Sequence, residues 1–133
     1  MVIIYASWKV NAADRDAYDA WFLEKVREAQ KEPGAIRYQY LVDMERPGRA
    51  INFEVWEDQA ALEKHLLAPG HIEVVRDNSG KWGSSDFEID FWDDAQGHRH
   101  MDVPSSRNTV GIHGLGEGNA AEKELAERVS AQD

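Results

Sequence analysis

The residue best suited to chemistry is His65, which lies in the stretch EVWEDQAALEKHL at residues 54–66. It follows Leu62 by three positions, on the apolar stripe that a predicted helix turns toward the core. An imidazole can act there as a general base or as a hydrogen-bond partner of a substrate oxygen. The position also suits a core histidine with one satisfied hydrogen bond, and the sequence leaves both interpretations open.

Large aromatic side chains occur on the elements predicted to surround His65. Aromatic walls with a few polar groups are typical of a small-molecule pocket, although the same rings could fill a core. Tyr38 adds a phenol that could act beside the imidazole. We predict substrate-binding residues on both the sheet and the helices: Trp8, Trp21, Phe22, Tyr40, Phe53, Leu62, His71 and Trp82.

Other motifs that carry chemistry are absent or weak. GLGEGNAA contains a G-x-G-x-x-A string, but no predicted strand leads into it. No Walker A string, G-x-S-x-G elbow or H-E-x-x-H is present, and there is no cysteine. His98, His100 and His113 fall in a predicted flexible tail without a fixed fourth ligand, so we predict no metal site.

The excess of acidic side chains restricts the classes of partner that the protein is expected to bind. The 133 residues include 25 acidic and 15 basic side chains, for a net charge of -10. Such a surface repels phosphate backbones and anionic lipid, so we expect neither a nucleic-acid nor a membrane partner. The opening MVIIYASWKV is too short to span a bilayer and has no basic region before it, so we expect a soluble cytoplasmic protein.

The order of predicted elements is β-α-β-β-α-β. Strands are predicted at residues 1–9, 35–42, 50–56 and 86–92, with helices at 16–32 and from 59 to the break at Pro69-Gly70. A further short helical or irregular segment follows at 71–75. This order predicts an α+β fold of the ferredoxin-like split βαβ type, with four antiparallel strands and the helices on one face.

The other sheet face carries the prediction of a partner. In the third strand we place Ile51, Phe53 and Val55 on one face, and Asn52, Glu54 and Trp56 on the face away from the helices. That second face, which also presents Tyr5, Leu41 and Trp92, is too aromatic for open water and too polar for a sealed core. We therefore predict a homodimer packed sheet on sheet.

The composition changes after residue 93, where Gly, Ser, His and other polar residues become frequent. We predict one domain at residues 1–93 and a flexible C-terminal extension at 94–133 that contains a short helix.

Two blocks of sequence carry a family resemblance. EPGAIRYQYLVD at residues 32–43 and INFEVWEDQAALEKHLLAPGHIEVV at 51–75 resemble the antibiotic biosynthesis monooxygenase family, including its quinol monooxygenase members. The resemblance covers roughly residues 2–92 and is most specific in E-x-W-E-D-x-x-A-L-x-x-H-L. It implies a dimeric α/β barrel of ferredoxin-like subunits. It also matches His65, Tyr38 and Trp56 to residues of the family pattern.

The resemblance implies a function that needs no cofactor. We expect a cofactor-independent monooxygenase that uses dioxygen to oxidise a phenolic, quinol or anthrone-like aromatic substrate, with His65 and Tyr38 as catalytic residues. Because the substrate itself reduces dioxygen, the protein must supply a dry pocket, an orienting donor and a proton acceptor. Two alternatives stay open: a cofactor-free isomerase or cyclase of the same fold, and a non-catalytic dimer that binds a small molecule.

Overall fold

The computed structural model describes residues 1–103 together with residues 124, 127–129 and 131. Within residues 1–103, nine elements follow one another: β1 (Val2–Lys9), a 3₁₀ helix (Ala12–Asp14), α1 (Arg15–Ala29), β2 (Ala35–Val42), β3 (Arg49–Trp56), α2 (Gln59–Leu67), α3 (Pro69–Gly80), β4 (Ser85–Asp93) and β5 (Gly97–Val103). Among the described residues, no helix is both long enough and apolar enough to cross a membrane.

The strands form one antiparallel sheet in the order β2-β3-β1-β4-β5. Strand β1 lies between β3 and β4, which is the arrangement of a split βαβ fold. The predicted α+β class and ferredoxin-like architecture are therefore confirmed. The helices cover one face, and the core lies between them and that face.

The fifth strand was not expected. We predict a flexible extension from residue 94, but Gly97–Val103 pairs along its whole length with β4, from Asp93 opposite Gly97 to Phe87 opposite Val103. GHRHMDV lacks the apolar alternation of the other strands because β5 is an edge strand whose residues are mostly exposed or partly exposed. The sheet thus continues past residue 93.

The predicted faces of β3 were wrong. Val2 pairs with Trp56, Ile4 with Glu54 and Trp8 with Ala50, so the even-numbered residues of β3 face the helices. Ile51 and Val55, on the opposite face, are also buried. Because apolar residues occur on both sides of this central strand, alternation alone could not assign its faces.

Helix boundaries follow local signals that position His65. The Asp58 side chain caps α2 by accepting a hydrogen bond from the backbone N–H of Ala61 at 2.8 Å. Pro69 begins α3 at its first position, where a missing N–H costs nothing. Between these signals α2 completes about two and a half turns, and its buried residues are Leu62, His65 and Leu66.

Candidate functional site

The imidazole of His65 points into the interior, as predicted, and is only 4% exposed. Its Nδ1 lies 2.6 Å from Oε2 of Glu32, which belongs to the E-P-G turn after α1. The Glu32 side chain is 26% exposed and so reaches solvent. An ionised carboxylate only accepts hydrogen bonds, and this short contact therefore places the ring proton of neutral His65 on Nδ1.

The second ring nitrogen faces a buried acid. Nε2 of His65 is fully buried and has no hydrogen-bond partner among the described residues. Oε1 of Glu54 lies 3.8 Å away. Glu54 is held in place because its carboxylate accepts hydrogen bonds from Asn52 Nδ2 and Trp56 Nε1, each at 2.9 Å. Burial raises the pKa of Glu54, although the Trp56 hydrogen bond and a positive charge on His65, present only when its ring is doubly protonated, oppose the rise.

Three rings enclose the imidazole. The ring centroids of Trp56, His71 and Tyr38 lie 4.6, 4.7 and 5.4 Å from that of His65. Burial, reinforced by the negative charge of Glu54, raises the pKa of the Tyr38 hydroxyl well above its usual range. Tyr38 is therefore a neutral phenol at physiological pH, able to donate one hydrogen bond.

A cavity of about 70 Å³ opens beside His65, between α1 and α3. Glu32, Tyr38, His65 and His71 contribute to its walls, and Glu28, whose side chain is 62% exposed, marks its open side. The volume exceeds the share of one liquid water, about 30 Å³, but falls below the roughly 150 Å³ that holds a benzene ring. A substrate ring therefore needs the walls to separate.

The wall between α1 and α3 is closed by an ion pair. Lys25 Nζ, on α1, lies 2.6 Å from Oε2 of Glu73, on α3. Lys25 also lines the cavity, so the ion pair lies next to it. Separating the helices would require this pair to part.

Most of the other predicted lining residues lie elsewhere. Trp8 packs against Phe22 and Phe87 at centroid distances of 5.3 and 5.6 Å, and its Nε1 donates to the Tyr18 hydroxyl at 2.7 Å. These contacts make a filled core cluster rather than walls beside His65. The described cavity at His65 is not lined by Trp8, Trp21, Phe22, Tyr40, Leu62 or Trp82.

Phe53 is also separated from His65. It pairs with Tyr5 of β1 and lies on the face of the sheet away from the helices. The structure thus brings together His65, Tyr38 and His71 from the predicted set, and places Phe53 on the other side of the sheet.

Three polar residues of the site were missed. Glu32 and Glu54 stand within the quoted E-P-G and E-x-W-E strings, and Asn52 lies two positions before Glu54. Asn52 Oδ1 is buried without a hydrogen-bond partner in the described part of the chain. Asn52 and Glu54 are polar residues in an otherwise apolar strand, and that contrast was the available signal. The wrong face assignment placed both residues on the outer surface of the sheet.

The histidines of the predicted tail make ion pairs on the outer sheet face. His98 Nε2 and His100 Nδ1 lie 2.7 and 3.1 Å from Oδ1 of Asp90. The hydrogen bond to Asp90 raises the pKa of His100. Across residues 1–103 and the few described beyond them, no group of three or more His, Cys, Asp or Glu side chains could hold a metal ion. His113 and the G-x-G-x-x-A string lie outside the described residues.

The sequence model of the antibiotic biosynthesis monooxygenase family matches residues 1–77. A curated relative, the uncharacterized protein sll1783 of Synechocystis, is 27% identical over 74 residues, which are 56% of this chain and 50% of the relative. The chain therefore matches only about half the length of that relative.

Solved structures share the fold. A candidate antibiotic biosynthesis monooxygenase from Deinococcus radiodurans superposes with a TM-score of 0.65 at 21% identity, over 76% of this chain and 99% of the other. SnoaB of Streptomyces nogalater, a cofactor-independent oxygenase solved as a point mutant, superposes with a TM-score of 0.58 at 19% identity, over 71% of this chain and 93% of SnoaB. At these identities the likeness supports a shared architecture.

Proposed function

Because the chain belongs to the antibiotic biosynthesis monooxygenase family, we propose that it is a cofactor-independent monooxygenase that oxidises a phenol or quinol with dioxygen. For a hydroquinone, one oxygen atom enters the ring and the other leaves as water, so that hydroquinone and dioxygen give a hydroxyquinone. The substrate supplies all the electrons. The protein's task is to bind it away from water and to move its protons.

One observation carries this proposal: the buried Nε2 of His65 has no hydrogen-bond partner in the described part of the chain. Buried polar atoms are normally satisfied, and an exception calls for an explanation such as a catalytic role. With its proton on Nδ1, neutral His65 presents a lone pair at Nε2, which can accept the proton of a substrate hydroxyl. The resulting phenolate is the electron-rich species that reduces dioxygen.

The neighbours of His65 suit that task. Tyr38 can donate a hydrogen bond to a substrate oxygen, since its phenol stays neutral. Beside them, Asn52 holds Glu54 by a hydrogen bond, and its Oδ1 is buried with no partner among the described residues. Trp56, whose ring is tilted by 31° with its centroid 4.6 Å from that of the imidazole, excludes water from one side of the ring.

The size of the cavity favours a small substrate. Starting from about 70 Å³, a hydroquinone of one or two rings requires less separation of α1 and α3 than a three-ring anthrone. Glu28 and Glu32 line the cavity, and Lys25, which also lines it, is already paired with Glu73. We therefore propose an uncharged quinol rather than a carboxylated one.

The first test is the His65→Ala variant. We expect turnover of a hydroquinone panel, followed by an oxygen electrode, to fall about 100-fold or more, because a positioned general base contributes about that factor. The matched control is His98→Gln, which removes an exposed imidazole from the outer sheet face. It should retain the turnover of the unmodified protein.

Dioxygen uptake separates this function from its alternatives. A monooxygenase consumes dioxygen in proportion to product, an isomerase or cyclase forms product without consuming it, and a non-catalytic binder retains its ligand unchanged. Unchanged turnover in His65→Ala would remove His65 from catalysis and leave it a core histidine.

A further inference from the structure

The proton that leaves the substrate needs a route out of a buried site. Accepting it at Nε2 turns His65 into an imidazolium that is 4% exposed, and a buried cation is costly unless a partner compensates it. The site lies among charged and titratable groups from every element around the ring. These groups are Lys25 and Glu28 of α1, Glu32 of the following turn, Tyr38 of β2, Glu54 of β3 and His71 of α3.

Among these groups only Glu32 combines a direct hydrogen bond to His65 with access to solvent. Its Oε2 lies 2.6 Å from Nδ1, and its side chain is 26% exposed. Glu54, in contrast, is 5% exposed and stands 3.8 Å from Nε2. His71 directs its Nδ1 to the Leu66 carbonyl oxygen at 3.2 Å. The hydrogen bond that links the buried imidazole to a solvent-reaching group therefore runs from Nδ1 to Glu32.

We propose that Glu32 and His65 form a proton relay that carries the substrate proton to solvent and returns a proton to reduced dioxygen. The relay deepens the proposed function and depends on it. In the outward step a substrate O–H bond breaks as Nε2 gains its proton, and the Nδ1 proton passes to Glu32 and then to water. The ring is left neutral, with its proton on Nε2.

In the return step the direction reverses. Nε2 gives its proton to an oxygen atom of the reduced dioxygen, while Nδ1 takes a proton back from Glu32. The imidazole thereby regains its starting tautomer, and the relay carries no net charge over the cycle. Glu32 itself lines the cavity, and in the relay it exchanges protons with Nδ1 of His65 rather than with the substrate.

The test uses Glu32→Ala with two small solutes. Formate can both accept a hydrogen bond from Nδ1 and take its proton, whereas formamide can accept the hydrogen bond but cannot take the proton. We expect turnover of a hydroquinone by Glu32→Ala to fall about 100-fold. Sodium formate should restore it at least about tenfold at constant pH and ionic strength, and formamide should not.

The matched control is Glu24→Ala, which removes the same charge from an exposed position of α1. It should keep the turnover of the unmodified protein with either solute. Circular dichroism of both variants checks that the fold survives. Equal recovery by formate and formamide would show that Glu32 only orients the ring, and recovery by neither would also overturn the relay.

A second measurement needs no substrate. Nitrogen NMR of histidine-labelled protein should find neutral His65 protonated on Nδ1, and the Nε2 tautomer would overturn the relay by itself. If the unmodified protein takes up no dioxygen with any quinol, the proposed function fails. Normal uptake that is insensitive to Glu32→Ala would overturn the relay alone.

Discussion

At the scale of single residues, the buried Glu54 adds a polar group to the site and lowers the free energy of unfolding when it is ionised. Its buried carboxylate has a raised pKa, and a raised carboxyl pKa favours the folded state at low pH. That contribution is fully present below the unfolded value of 4.5 and is lost as pH rises through the higher folded value. The ionised side chain therefore costs the folded protein free energy at neutral and alkaline pH.

We predict that Glu54→Gln melts at a higher temperature than the unmodified protein near pH 8, with a smaller difference near pH 5. The new amide carries no charge, and Asn52 can turn its unpartnered Oδ1 to accept from it. Differential scanning calorimetry at the two pH values provides the measurement. A variant that is less stable at both would show that the hydrogen bond from Trp56 to the ionised carboxylate outweighs its desolvation.

The chemical residues could be predicted from sequence in part. The helical spacing placed His65 inside, and the family resemblance drew attention to Tyr38. Neither could reveal that Glu32 closes on Nδ1, because that contact joins two residues 33 positions apart through the packing of α2 against the E-P-G turn. The aromatic residues were misleading since composition does not distinguish a filled cluster around Trp8 from the walls of a cavity.

At the scale of elements, the E-P-G turn sets the distance between Glu32 and His65. Gly34 has a φ of +86°, and a Cβ added there would lie 2.4 Å from the Cβ of Ala61 on α2. Its carbonyl oxygen accepts from the backbone N–H of Glu57 at 2.8 Å. A side chain at Gly34 must therefore either strain the turn or push α2 away.

We predict that Gly34→Ala lowers the free energy of unfolding by about 3 kcal/mol, from the strained φ and the clash together. Gly83→Ala is the matched control, because Gly83 also has a positive φ, +70°, but a Cβ there would meet nothing within 4 Å. It should lose only about 1 kcal/mol. Urea denaturation measures both variants, and equal losses would show that the contact with Ala61 relaxes at no cost.

Elements bounded by strong local start or stop signals could be predicted from the sequence, and elements without such signals could not. Pro33-Gly34 after α1, Asp58 before α2 and Pro69 before α3 each end or begin a helix by a local mechanism. No comparable local signal assigns the faces of β3 or announces β5. The faces of β3 follow from its pairing with the distant strand β1, and β5 is placed by a hairpin with the preceding strand β4, in which backbone hydrogen bonds form whatever the side-chain pattern.

At the scale of the whole molecule, the sheet presents one face to the helices, and no helix or strand of residues 1–103 lies across the other. Leu41 and Trp92 are exposed by 39% and 38% on that face. Asp90, His98 and His100 form charged contacts beside Trp92, whose ring stacks on His98 at 4.9 Å. A mixture of aromatic and paired charged groups is typical of the surface between two subunits.

We predict that light scattering at micromolar concentration gives twice the chain mass of 15.1 kDa. Leu41→Asp should shift the protein toward the monomer, because it places an unpaired charge in the buried part of the contact. Leu23→Asp is the matched control: Leu23 is equally exposed, at 38%, but lies on α1 in the opposite layer. A monomeric mass for the unmodified protein would refute the sheet-to-sheet dimer, and equal dissociation by both variants would place the contact elsewhere.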